Sequence, residues 1–167
     1  MNDRPLALVR VLVLVAVAVV LQTVVLNRIR VFGVAPNLVL VMVILLARWV
    51  EPRAALLVGF TSGLVLDLLG SSPLGLRALV LTVVALVASR FSTGAALASV
   101  AGVWPISLLA EVLLFILGTI TGEGSLFQAE LLARALVGPL LNLALAALLF
   151  PLLARLLSTE RERGAVL

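Results

Sequence analysis

Apolar residues run along this chain in long blocks, separated by short clusters of Gly, Pro, Asn, Arg and Glu. A membrane-crossing helix needs about 20 mostly apolar residues. Six blocks approach that length, at about 6–26, 36–50, 54–69, 74–89, 96–120 and 127–157. Their connections carry turn chemistry: Asn27-Arg28-Ile29-Arg30-Val31-Phe32-Gly33, Glu51-Pro52-Arg53, Gly70-Ser71-Ser72-Pro73, Arg90-Phe91-Ser92-Thr93-Gly94 and Thr121-Gly122-Glu123-Gly124-Ser125. Pro36 suits a helix start. The blocks do not alternate apolar with polar residues, so they read as helices and not as strands of a membrane barrel. The pattern predicts a compact all-α bundle of six transmembrane helices, one integral membrane domain over residues 1–167. The second to fourth helices are short, and the last two are long enough to tilt or protrude. Pro105 predicts a kink in the fifth helix, and Gly138-Pro139 a bend in the sixth.

Composition agrees. The chain is 63% hydrophobic and 12% charged, against about 45–50% and about 25% in a soluble domain. Mean hydropathy is +1.32. The apolar run over 11–26 is longer than a signal-peptide core, and its small residues, Ala16 and Ala18, sit mid-run, so it reads as an uncleaved first helix. All twelve basic residues are Arg, dispersed between the blocks. That dispersal argues against nucleic-acid binding and for a topological role. With six helices, one side carries Arg4, Arg10, Arg48, Arg53, Arg90, Arg155, Arg161 and Arg163; the other has Arg28, Arg30, Arg77 and Arg134. The excess places both termini in the cytoplasm.

Candidate chemistry is sparse. There is no Cys and no His, which excludes disulfides, thiol or imidazole catalysis and Cys/His metal sites. The two Asp residues, Asp3 and Asp67, cannot form an intramembrane aspartyl dyad. No enzyme, cofactor or metal is expected. The polar residues inside apolar blocks carry more information, because ionisable groups in a membrane are costly. Gly59, Gly63, Asp67 and Ser71 are four apart and share one helix face, with Gly70 nearby. Small residues let another helix approach closely. The face reads either as a groove presenting Asp67 to a partner helix or as ordinary packing within the bundle. Glu130, Arg134, Gly138 and Asn142 form a second stripe with the same spacing. Arg134 could pair with Glu130 along the helix, or it and Asn142 could turn inward to meet Asp67 or Glu111. Glu111 and Arg134 then read as an internal structural pair, with a transport site as the other reading.

The stretch from Pro36 to Leu79 resembles the MreD family of rod shape-determining membrane proteins. The resemblance rests on Pro36-Asn37 opening the second helix, Pro52 in the next turn, and the pattern Gly59, Gly63-Leu64, Asp67, Pro73-Leu74-Gly75 and Ala78-Leu79. Asn37 stands where many members carry Asp, and Arg77 where others carry His or Gln. The resemblance implies a non-enzymatic scaffold in the bacterial cytoplasmic membrane, part of the cell-elongation machinery for lateral peptidoglycan. The implied partners are the bitopic protein MreC, the RodA glycosyltransferase with its penicillin-binding transpeptidase, the MreB filament indirectly, and membrane lipids; a homo-oligomer is left open. On this reading Gly59, Gly63, Asp67, Gly70 and Arg77 face the partner, while Pro36, Asn37, Glu111, Arg134 and Asn142 are buried polar or structural. The family fold is also similar to substrate-binding subunits of energy-coupling-factor vitamin transporters, which keeps a transport subunit as the alternative.

Overall fold

The computed structural model describes residues 4–70, 73–91, 96–122 and 131–164. Their order is α1 (Arg4–Val24), a 3-10 turn (Leu26–Arg28), α2 (Leu38–Leu46), α3 (Pro52–Leu69), α4 (Leu76–Phe91), α5 (Ala96–Ala101), α6 (Val103–Ile120) and α7 (Leu131–Gly164). No strand occurs among the described residues. An isolated antiparallel bridge joins Val31 and Val34.

α5 and α6 form one helical unit. Gly102 keeps helical backbone and donates to the Ala98 carbonyl at 2.9 Å, and its own carbonyl accepts from Ile106 at 3.3 Å. Pro105 has no N–H to offer the Ala101 carbonyl, and the ladder falters one turn before it. α7 runs on through Pro139 and Pro151. The expected start of the sixth block, Glu130 included, lies outside the described residues.

Four helices are long and apolar enough to cross a membrane: Val9–Arg28, Pro52–Leu69, Ala98–Ile120 and Arg134–Leu157. Against the expected six spanning helices, the described residues form six helical units of unequal length, of which these four are long and apolar enough to cross. α4, with 16 residues, rises about 24 Å, against a hydrocarbon core of about 30 Å. α2 departs furthest from the expected 36–50. Its nine residues rise only about 14 Å. Pro36 lies ahead of it, Asn37 caps it, and Arg48 and Trp49 leave it through tight bonds to the Leu45 and Leu46 carbonyls.

α2 is short because it is a core element. Every residue from Leu38 to Leu46 is buried, none more than 6% exposed. A helix apolar on all sides needs cover on all sides, and α1, α3, α4, α6 and α7 supply it. α1 turns Val11, Val15, Ala18, Val19 and Gln22 inward, while Val13, Val17, Val20 and Val24 face out. That division follows the helical repeat and leaves an apolar outer surface suited to lipid. At the end of the bundle where α2 finishes, Trp49 packs on Phe150 of α7 with ring centroids 5.9 Å apart.

Candidate functional site

Asp67 is 2% exposed and lies where α3 hands the chain to α4. Gly70 ends α3 in extended backbone, and Gly75, with φ +95°, turns the chain into α4. The first N–H groups of a helix lack intrahelical partners and carry the positive end of its dipole. Asp67 supplies the partner across the turn. Its Oδ2 accepts from the backbone N–H groups of Gly75 at 2.9 Å, Arg77 at 3.1 Å and Ala78 at 3.2 Å, and its Oδ1 accepts from Arg77 at 3.2 Å. The helix that follows is capped by the helix that precedes it.

The glycines make this reach feasible. A Cβ on Gly63 would stand 2.4 Å from the Ala78 Cα and 2.6 Å from the Arg77 carbonyl oxygen; one on Gly59 would stand 2.5 Å from the Leu81 carbonyl oxygen. These are backbone atoms, which no side-chain rotation can clear. The glycine-lined face thus receives α4 of the same chain, the second of the two readings the sequence left open, and not the partner's helix that the family resemblance implied. A helix seated this closely leaves no room for a second one. Gly70 is exposed at the rim, and Arg77 is half-buried beside it. Ser71 lies outside the described residues.

A second polar node sits at the start of α2. Non-helical backbone at membrane depth must find its hydrogen bonds inside the protein. Asn37 Oδ1 accepts from the Leu40 N–H at 3.1 Å, as an N-cap should. The Asn37 N–H donates to Asn142 Oδ1 of α7 at 2.8 Å, and the Leu38 N–H to Gln22 Oε1 of α1 at 2.6 Å. Gln22 Nε2 donates to the Pro36 carbonyl at 3.2 Å and to Asn27 Oδ1 at 2.9 Å. Asn142 Nδ2 donates to Ser107 Oγ of α6 at 3.2 Å. Gln22, Ser107 and Asn142 are all buried. Three helices therefore converge on the first turn of α2.

Asn142 turns inward, as its stripe allowed, but it meets Asn37 and Ser107, not Asp67 or Glu111. Glu111 Oε1 and Val34 Cγ1 would each lie 3.8 Å from a Cβ on Gly138, an ordinary contact distance, so α6 and the Val34 loop adjoin α7 there without the close seam seen at Gly59 and Gly63. Sequence reasoning missed Gln22 and Ser107. Gln22 was the only amide within the apolar run 11–26, which was a usable signal; Ser107 gave none, since serine is common on membrane helices.

Both nodes spend their polar atoms on backbone N–H groups and on each other, and no buried polar side-chain atom among the described residues lacks a hydrogen-bond partner. Spanning helices around a buried short helix, with intramembrane polar groups used as caps, define a multi-pass α-helical membrane protein. A family model described as rod shape-determining protein MreD matches residues 2–159 of the 167 in the chain. The chain belongs to the MreD family of rod shape-determining membrane proteins. No curated protein and no solved structure matches it.

Proposed function

We propose that this protein is a non-enzymatic scaffold of the bacterial elongation complex, holding an MreC-like bitopic partner in the cytoplasmic membrane with both of its own termini in the cytoplasm. Family membership and the Arg asymmetry support this reading. The observation that carries it furthest is the Asp67 cap, which welds α3 and α4 into one unit with a rigid outer rim. A partner helix then docks against that rim, beside Gly70 and Arg77, and not in the glycine seam. RodA, its transpeptidase partner and the MreB filament are reached through the same complex.

The test is co-purification of the MreC-like protein from native membranes. Arg77→Gln, which removes the charge without setting a second carboxylate beside Asp67, should cut recovery about tenfold, the effect of roughly 1.4 kcal/mol at an interface, while leaving thermal unfolding unchanged. Undiminished recovery refutes the rim. Failure of the unaltered protein to recover any MreC-like partner refutes the scaffold itself.

A further inference from the structure

The loop between α1 and α2 carries a finger that neither polar node uses. Val31 and Val34 exchange both backbone hydrogen bonds, at 2.9 and 3.0 Å, around Phe32 and Gly33. Phe32 has φ +51° and Gly33 φ +82°. Positive φ at both central residues is the hallmark of a type I′ turn, whose first position favours Asn, Asp or Gly. A bulky aromatic in this backbone region is an outlier, and such strain persists where something other than local preference selects the residue. Phe32 is also 85% exposed, so packing within the chain does not select it.

The surroundings indicate what does. Val34, on the inner side of the turn, is buried and pins the finger to the bundle. The outer side continues the apolar surface of α1: Val20, Val24, Val25, Ile29, Val31 and Phe32 are all exposed. The apolar span Val9–Arg28, made of α1 and the 3-10 turn after it, is 20 residues long, about one hydrocarbon thickness. The finger therefore emerges at the level of the lipid headgroups. Arg28 and Arg30 are exposed there, and neither guanidinium has a hydrogen-bond or ion-pair partner among the described residues. An apolar aromatic ring with flanking arginines at that depth matches the chemistry of the interface, which buries Phe, Trp and Leu side chains at the headgroup–acyl boundary and offers phosphate to cations.

We propose that residues 28–32 form a lipid anchor: the Phe32 ring enters the headgroup–acyl boundary, and Arg28 and Arg30 bind the phosphates of anionic phospholipid. The anchor would hold the α1–α2 connection down and steady the buried start of α2 directly behind it.

The chain has no cysteine, so Phe32→Cys takes a single spin label. In vesicles of phosphatidylethanolamine and phosphatidylglycerol, the label should be more accessible to oxygen than to a water-soluble nickel chelate. Nickel accessibility equal to that of a soluble control overturns the insertion, and is the result expected if the finger serves a soluble protein partner. Phe32→Asn separates anchoring from folding, because Asn suits the turn better than Phe. It should keep or raise thermal stability in detergent yet lose the additional stability that phosphatidylglycerol confers. The Arg28→Gln/Arg30→Gln variant should retain less phosphatidylglycerol after mild delipidation, by about fivefold per arginine. Equal retention by the variant and the unaltered protein overturns the phosphate contact.

Discussion

Asp67→Asn is the substitution that separates a structural carboxylate from a partner-binding one. Asn is nearly isosteric, so it opens no cavity. It keeps one acceptor oxygen and places an NH2 group where the other oxygen was. In the better of its two orientations the amide oxygen takes the Oδ2 position and keeps the bonds to Gly75, Arg77 and Ala78. Its nitrogen then meets the Arg77 N–H, which now approaches Oδ1 at 3.2 Å, donor against donor. The lost interactions are one hydrogen bond to a charged group, about 1.5–3 kcal/mol, and the attraction of a negative charge to the start of α4, about 0.3–1 kcal/mol. The sum is about 2–4 kcal/mol. Asp67→Ala strands all three N–H groups and should cost more. Reversible unfolding in mixed micelles, or steric trapping in bicelles, measures both. If Asp67→Asn lies within about 0.5 kcal/mol of the unaltered protein, the size of an ordinary surface change, the cap contributes nothing and the argument fails. A side chain that served only a partner would leave unfolding untouched and weaken co-purification alone.

Two further substitutions test the packing. Gly63→Ala forces its methyl against the Ala78 Cα at 2.4 Å, so α4 must retreat by roughly 1 Å to reach ordinary contact. Overpacking costs about 1–3 kcal/mol and the retreat also stretches the Asp67 bonds, so the same unfolding assay should show a loss of at least that size; a neutral result refutes the close seam. Asn142→Leu removes the acceptor for the Asn37 N–H and the donor to Ser107, and should destabilise by about 1–3 kcal/mol for the buried N–H left unsatisfied. Amide exchange at Asn37 should quicken alongside, and unchanged protection there would show that the bond does not hold α2 in place.

The class of fold was legible because it depends on block length and composition, which a sequence states directly. The depth of α2 was not. The residues Leu38 to Leu46 and those of a spanning helix look alike in hydropathy, and only the turn after Ala47 distinguishes a core helix from a crossing one. That turn contains no Gly or Pro until Pro52, so nothing local announced it. The four-residue spacing of Gly59, Gly63 and Asp67 correctly placed them on one close-packing face. It could not say which helix fills that face, since glycine admits a neighbour from its own chain as readily as one from another. The same limit applied to Asn142: its inward direction followed from the stripe, while its partners Asn37 and Ser107 depended on contacts 105 and 35 residues apart in sequence.

The two nodes share a device that bears on function. Each helix is capped by side chains from other helices as well as, or in place of, its own N-cap residue. A cap of that kind fixes axial register, because sliding α4 along α3, or α2 along α1 and α7, breaks the bonds at Asp67, Gln22 and Asn142 together. α2 touches five helices at once, so the register set at its first turn is passed to most of the bundle. Alternating-access transporters depend on one bundle rocking against another, and cross-capped helices resist that motion. A scaffold gains from the same resistance, since a surface already held in its binding shape loses less conformational freedom when a partner docks. The buried polar side chains of the two nodes, Asp67, Gln22 and Asn142, oppose sliding between helices, and stiffness is the property a protein needs if its task is to hold others in place.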